Sequence, residues 1–400
     1  MSRELIITVN AGSSSLRIGL FAGHHGEQQP ILLARGKLDG IGIRPRLKVS
    51  LSDGTTLSDM QFPTEQVSDM RAAYSLAALA LGSGLRGEKP TLLSHRVVHG
   101  GSSFSAPVRV DHKILEQLRG LAPLAPLHQP YNLAPIQGVL DDTPELPQVA
   151  CFDTAFHAGR SELSQLFALP YSLYEQGIRR YGFHGLSFEY VSLRLAEVAP
   201  EIANGKVIIA HLGNGSSLCA IDNGRSVEVT TGFSALDGLP MGSRCGALDP
   251  GVLLHLLKQG ATTATLEELL YHCSGLLGIS GVSSDMLALR ASQEPRAQLA
   301  IDHYVYRIAQ EVGRLAACLG GLDALVFTAG IGERDAELRA QVVLRLAPLF
   351  DLRLDNEANR RHAEHISASD SARRILVIAT DEESMLARHA WHLYQEEGTI

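Results

Sequence analysis

Several short segments set cationic side chains beside glycine. "SHRVVHGGSSF" (94–104) carries His95, Arg96 and His99 ahead of Gly100-Gly101, "CFDTAFH" (151–157) carries Asp153 and His157, and "RRYGFHG" (179–185) holds His184 between two glycines. "GSRCG" (242–246) carries Arg244, and "LAPLHQPYNLAP" sets His128 among prolines. Glycine lets backbone approach a ligand closely, and guanidinium and imidazole groups donate to anions. Taken singly, each segment also reads as a solvated charge or a capped loop. Taken together, Arg and His beside Gly at strand ends fall where open α/β sheets place ligands. Three polar Gly turns, "NAGSSSL" (10–16), "HLGNG" (211–215) and "AGIGE" (329–333), add free backbone amides of the kind that cradle phosphates.

Other chemistries are excluded or discounted. No G-x-x-x-x-G-K-[ST] occurs, so there is no P-loop, and nucleotide phosphates would have to rest on several separate Gly turns. "GSGLRG" (82–87) matches G-x-G-x-x-G but follows a helical pattern and precedes a strand, the reverse of the dinucleotide-binding order. Cys151, Cys219, Cys245, Cys273 and Cys318 show no CxxC spacing, which predicts reduced thiols and a cytoplasmic protein without zinc. A hard cation held by Asn, Asp and Glu oxygens is the metal this composition favours. The net charge of −8 argues against nucleic-acid or membrane-surface partners, so an anionic ligand must meet a few locally placed cations. Neither a secretory signal nor an 18-residue apolar run is expected.

These side chains need a scaffold, and the apolar periodicity supplies one. Strands are predicted at 5–10, 16–21 and 31–35, a helix at 68–80, and a strand at 91–98 that carries His95, Arg96 and His99 into the glycines. Another strand at 148–152 ends just before Asp153. The pattern returns at "KVIIAHLGNGSSLCAIDNGRSVEVTT" (206–231), which reads strand, Gly turn, strand, Asn-Gly turn, strand. A helix at 297–319, the strand "ALVFT", a Gly turn and a helix from Asp335 follow. With Ser14-Ser15-Leu16 laid on Ser216-Ser217-Leu218, the chain reads as a duplicated β-meander-plus-βα domain.

In order from residue 7 to 383, "VNAGSSSL", "HRVVHGG", "LAPLHQPYNL", "FDTAFH", "RRYGFHG", "AHLGNGSS", "GSRCGALDPG", "SGLLGISGVSSD", "FTAGIGE" and "TDEE" resemble the motifs of the acetate kinase family. The resemblance implies an α/β protein of the sugar-kinase, Hsp70 and actin type: two duplicated ribonuclease-H-like domains with ATP in the cleft between them. Residues 1–152 would form the first domain, completed by a C-terminal helix at 384–400, and residues 153–383 the second. It further implies transfer of the γ-phosphoryl of ATP to a small carboxylate, acetate or propionate, in a homodimer that uses magnesium, with manganese as an alternative.

Carried over residue by residue, Arg96 holds the carboxylate, while Val98, Leu127, His128 and Phe183 surround the acid. Arg244 and His184 stabilise the transferring phosphoryl group, Asn10 and Glu382 face the metal, and Asp153 is the acidic residue of the site. Since transfer to a carboxylate needs no proton carrier, orienting Arg96 or a metal-bound water is the role expected of Asp153. Ser13, Ser15 and Arg17, with His211, Leu212, Gly213, Asn214 and Gly215, lie toward the phosphates. Asp285, Met286, Leu287, Gly330, Ile331, Gly332 and Glu333 lie toward the adenosine. The chain departs from the family pattern at Leu287, where an Arg is usual, and at Arg17, Arg334, Leu186 and Phe188. Ala235 replaces a frequent Pro, a change that could admit one more methylene and make propionate a second substrate. A sugar kinase using Asp153 as general base, and a non-enzymatic nucleotide switch, are the rival readings.

Overall fold

A computed structural model of the chain describes residues 3–82 and 88–397. The chain folds into two units, one of residues 1–155 with 381–400 and one of residues 156–380.

Unit 1 is built on an eight-stranded sheet of order β5-β4-β3-β2-β1-β6-β8-β7. Its strands are β1 (Glu4–Ala11), β2 (Ser15–Gly23), β3 (Ile31–Asp39), β4 (Arg46–Leu51), β5 (Thr56–Gln61), β6 (Leu92–Val97), β7 (Val108–Arg109) and β8 (Gln148–Phe152). β1 to β3 pair antiparallel, while β6 runs parallel to both β1 and β8. β1, β6 and β8 are buried almost throughout, the pattern of central strands covered on both faces. On one face Leu5, Ile7, Val9 and Ala11 pack with α1 (Met70–Gly82) and α3 (Gln129–Asp142). α2 (His112–Gly120) lies against α3. α15 (Glu382–Glu397) lies on β1, β2 and β6, with Ser94 Oγ donating to Leu386 O at 2.8 Å.

Unit 2 holds a five-stranded sheet of order β11-β10-β9-β12-β13, from β9 (Lys206–Leu212), β10 (Ser216–Asp222), β11 (Arg225–Val229), β12 (Ala324–Thr328) and β13 (Arg374–Val377). Along the chain run α4 (Glu162–Gln165), α5 (Tyr171–Glu175), α6 (Gly185–Val198), α7 (Pro250–Lys258), α8 (Thr263–His272), α9 (Gly275–Ser280) and α10 (Met286–Ala291). They continue with α11 (Pro295–Leu319), α12 (Ala329–Arg334), α13 (Ala336–Phe350) and α14 (Asn356–Arg360). Alternation along the strands sends Ile208, Ala210 and Leu212 to α11 and α13, and Val207 and Ile209 to α6. Ala297, Ala300, Ile301, Tyr304, Val305 and Ile308 of α11 recur at helical spacing and are all buried. No helix among the described residues is long and apolar enough to cross a membrane.

The duplication is visible in the strand order. β3-β2-β1-β6-β8 repeats as β11-β10-β9-β12-β13, with two antiparallel pairings followed by two parallel ones in each unit. The turn tips do not repeat residue for residue: residues 12–15 span Ala11 and Leu16, whereas residues 213–215 span Leu212 and Ser216. Other expectations need correction. β4 and β5 are not predicted, because β4 carries charge at its exposed alternate positions Arg46 and Lys48 and β5 is exposed at every position but Ser58. β6 stops at Val97, so His99 lies beyond the strand in the segment leading to the glycines. "AGIGE" is not an open turn: it winds as α12 directly off β12, and Asp335 then caps α13 through Leu338 N at 2.9 Å. "GSGLRG" falls, apart from Gly82, outside the described residues, as do residues 398–400.

Candidate active site

In unit 1, β1, β6 and β8 end side by side and deliver Asn10, Arg96 and Asp153 to one place. The Arg96 guanidinium donates from Nε to Asp153 Oδ1 at 2.9 Å and from Nη2 to Asp153 Oδ2 at 2.6 Å. Its Nη1 donates to Asn10 Oδ1 at 3.1 Å and lies 3.3 Å from Glu382 Oε2. Asn10 Nδ2 closes the ring by donating to Glu382 Oε2 at 3.0 Å. Burial alone would lower the Arg96 pKa, but Asp153 and Glu382 outweigh it and raise it, so the cation is permanent. One edge of its planar fork is fully spent on Asp153, a bidentate lock that fixes where the remaining N–H groups point.

α3 braces the segment after β6. Asn132 Oδ1 accepts from Val98 N at 2.9 Å and its Nδ2 donates to Ala11 O at 2.6 Å, while Gln129 exchanges hydrogen bonds with His99 N and O at 3.2 and 3.1 Å. Val98 is buried, and Leu127 and His128 are half-buried just before α3. At the tip between β1 and β2, Ser13 is exposed, and Arg17 is exposed directly across from Asn10. The Glu383 carboxyl, buried beside Glu382 and Asp381, has a raised pKa that Arg17 partly offsets, and its Oε1 has no hydrogen-bond partner.

Glu382 offers carboxylate oxygen, the chemistry of a hard divalent cation that keeps most of its waters. Both polar atoms of Asn10 are committed to Arg96 and Glu382, so Glu382 would be the charged ligand and Asn10 its brace. Among the described residues no three His, Cys, Asp or Glu side chains gather into a site of their own, so such a cation would depend on its other ligands.

In unit 2, His184 sits in left-handed backbone conformation (φ 60°, ψ 25°) as the N-cap of α6. The segment before it is held residue by residue. Arg160 donates from Nη2 to Arg180 O at 2.6 Å and to Tyr181 O at 2.9 Å, and Phe183 N donates to Thr231 Oγ1 at 3.0 Å. His157 Nε2 contacts Phe183 O at 3.0 Å. A carbonyl only accepts, so His157 carries its proton on Nε2 and takes one at Nδ1 from Ser226 Oγ, 2.8 Å away. Burial pushes the His157 pKa down to about 3, which keeps the ring neutral. Gly182 (φ +85°) fits because a Cβ there would lie 2.6 Å from Val229 Cγ1 and 2.9 Å from His157. Arg160 is itself fully buried against Glu228 at 3.3 Å.

His184 stacks on His211 of β9 with ring centroids 4.2 Å apart, and its Nδ1 meets Ser217 Oγ at 2.8 Å. After Leu212, the tip Gly213-Asn214-Gly215 exposes Asn214, whose carbonyl accepts from Gly242 N at 3.4 Å. Arg244 differs from Arg96 in its surroundings: the Ala235 carbonyl, the Met241 sulfur and the Tyr271 ring lie about it, and burial lowers its pKa. Asp285 caps α10 through Ala288 N at 2.9 Å, with Met286 buried and Leu287 78% exposed after it. Gly330, Ile331, Gly332 and Glu333 form α12. The carbonyls of Gly332 and Glu333 accept from buried Arg339 at 2.8 and 2.9 Å, and Glu333 Oε1 accepts from Thr380 N at 3.1 Å.

The structure thus gathers Asn10, Arg96, Asp153 and Glu382 in unit 1, and His184 with His211 in unit 2. Val98, Leu127, His128, Ser13, Ser15 and Arg17 belong to unit 1, whereas Phe183, Arg244, Asn214, Asp285 and α12 belong to unit 2. Sequence reasoning missed Arg160, Gln129, Asn132, Ser187, Ser217 and Arg339. For Asn132, Ser187 and Arg339 the signal is a polar residue set in a helix between apolar neighbours.

A family model described as the acetokinase family matches residues 5–388. An acetate kinase of Nitrobacter hamburgensis is 51% identical over 99% of this chain and 98% of its own length, and one of Rhodopseudomonas palustris is 48% identical over 98% of each. Among solved structures, a propionate kinase from Francisella tularensis superposes with a TM-score of 0.88 at 33% identity, covering 97% of this chain and 99% of that one. The acetate kinase of Porphyromonas gingivalis gives 0.84 at 34% identity, covering 98% and 100%. Two repeated sheets, a carboxylate-locked arginine at the strand ends and a match along nearly the whole chain lead to one conclusion: the chain belongs to the acetokinase family.

Proposed function

We propose that this protein is an acetate kinase, transferring the γ-phosphoryl group of ATP to acetate to give acetyl phosphate and ADP, and catalysing the reverse reaction. The observation that carries the reading is Arg96, fixed by Asp153 along one edge with its remaining N–H groups shared with Asn10 and Glu382. Acetate is already ionised at neutral pH, so no base is required; the barrier is repulsion between anions. Catalysis is therefore positioning and charge neutralisation in an in-line transfer. Arg96 receives the carboxylate through the Nη2 N–H that Asp153 and Asn10 leave over, and Asp153 aims it without moving a proton. Val98, Leu127, His128 and Phe183 enclose the methyl group.

Arg244 and His184 stabilise the transferring phosphoryl. The Ala235 carbonyl, the Met241 sulfur and the Tyr271 ring lie around the Arg244 guanidinium. His211 to Gly215, with Ser13, Ser15 and Arg17, serve the phosphates, and Asp285 to Leu287 with Gly330 to Glu333 serve the nucleoside. Glu382, braced by Asn10, would hold magnesium or manganese, which supplies charge neutralisation at the phosphates.

Propionate is the second reading, favoured by Ala235 and by the propionate kinase among the similar structures. Two copies would pair through α7 and α8: neither helix buries a residue within the chain, and Leu254 and Leu257 stand 60% and 45% exposed. The net charge of −8 favours small-molecule partners over nucleic acid or membrane, and five cysteines without CxxC spacing fit the cytoplasm.

Trapping the product with hydroxylamine tests the assignment, because only an acyl phosphate yields a hydroxamate. Acetate, propionate and butyrate compared with ATP should give hydroxamate fastest with acetate. ATP turnover without hydroxamate, or phosphorylation of a sugar hydroxyl, would refute it.

A further inference from the structure

Unit 2 contains a hydroxyl chain that the proposed reaction does not use. Beneath the stacked rings of His184 and His211, each Nδ1 meets a serine, and the serines are exchanged between elements. His184 of the α6 N-terminus meets Ser217 Oγ of β10, while His211 of β9 meets Ser187 Oγ of α6, each at 2.8 Å. Ser217 is the cross-strand partner of His211, and Ser187 follows His184 by one helical turn, so each serine stands next to the ring it does not bond. Both serines are fully buried.

Ser187 has a second partner: Thr380 Oγ1 donates to Ser187 Oγ at 2.8 Å. Thr380 is held in turn by its amide, which donates to Glu333 Oε1 at 3.1 Å. A hydroxyl has a single proton to give. With its oxygen accepting from Thr380, Ser187 directs that proton to His211 Nδ1. The opposite arrangement, a proton on Nδ1 pointing at Ser187, would leave the serine O–H buried without an acceptor. The neutral ring therefore accepts at Nδ1 and carries its hydrogen on Nε2.

We propose that Ser187 is a positioning residue: with Thr380 behind it, its hydroxyl holds His211 as the Nε2–H tautomer, so the ring offers an anion a donor rather than a lone pair. The tautomer is argued from the Thr380–Ser187–His211 hydrogen bonds, while the anion's being a nucleotide phosphate rests on the acetate kinase reading. This also accounts for a polar side chain in the fully buried run between Leu186 and Phe188.

The test combines 15N imidazole NMR of the whole enzyme with kinetics. His211 should show a protonated Nε2 and a bare Nδ1 in the wild type and in T380S, and a mixture of tautomers in S187A and T380V. Both latter variants should lose kcat about tenfold, the equivalent of one hydrogen bond to a charged group at the low end, with KM for acetate unchanged. In an H211Q background, whose amide supplies a donor without help, S187A should add no further loss. A wild-type His211 protonated on Nδ1, or an S187A enzyme with unaltered tautomer and kcat within twofold, overturns the proposal. Because T380V leaves Ser187 in place, it reads the chain even where S187A does not fold. The NMR arm also stands if the enzyme proves to phosphorylate something other than acetate.

Discussion

Asp153→Asn separates an aiming role from proton transfer. The Asp153 side chain is 2% exposed and Arg96 19%, and both carboxylate oxygens are spent on the guanidinium, at 2.9 and 2.6 Å. Asparagine keeps one acceptor and turns an NH2 group toward N–H donors, so the lock opens on one side and a buried positive charge loses its nearest counter-charge. Removing one partner of a buried pair costs about 3–5 kcal/mol. Arg96 retains Asn10 at 3.1 Å and Glu382 at 3.3 Å, which puts the loss at the lower end, about 3 kcal/mol, or roughly a hundredfold in rate where it is felt at the transition state. Freed from Asp153, the guanidinium swings toward Glu382, so the loss should appear in kcat/KM for acetate while KM for ATP stays within about twofold of wild type. The hydroxamate assay across pH measures both. If Asp153 only aims Arg96, the residual activity of the variant keeps the wild-type pH profile. A titration limb present in wild type and missing in Asp153→Asn would mean that the carboxylate carries a proton, and the charge-neutralisation argument would fail there.

The remaining predictions concern the supports of the site. Arg160→Met leaves Glu228 buried without its partner and frees the carbonyls of Arg180 and Tyr181; urea unfolding should lose about 3–5 kcal/mol, and adding Glu228→Gln should recover part of it. His95 and His99 have pKa values near 4 and His157 near 3, all lowered from 6.5 chiefly by burial. Each ring protonates more readily unfolded than folded, so their contribution is complete above pH 6.5 and is lost as pH falls toward 4, by about 1.4 kcal/mol per pH unit for each ring. Denaturation midpoints that stay flat between those limits would contradict it. Gly275→Ala would place a Cβ 2.1 Å from Met241 O and 2.7 Å from Arg244 O at φ +63°, and should cost more than about 1–3 kcal/mol and displace the Arg244 loop, lowering kcat. Full turnover in that variant would detach Arg244 from the reaction.

What was legible in the sequence, and what was not, divides along a physical line. β1 and β12 were read at nearly their true bounds because central strands covered on both faces must be continuous apolar runs. The Arg and His residues were visible because several short segments carry them with glycine at strand ends, where open α/β sheets place ligands. β4 and β5 were missed because the exposed alternate positions of β4 carry charge and β5 is exposed almost throughout, which leaves no apolar run to see. The supports were hidden for a different reason. Asn132 is recognisable only once β1 and β6 are known to end beside α3, since it bonds Val98 N across 34 residues of chain and Ala11 O across 121. Ser187 meets His211 across 24 residues and Thr380 meets Ser187 across 193, and nothing in their neighbours' spacing announces the pairing. A residue that touches the ligand leaves a local signature, because the chemistry dictates its type and its glycine neighbours. One that orients it through a long-range hydrogen bond leaves only a polar side chain at a buried position, so the unexplained polar residues of apolar segments are where the rest of an active site should be sought.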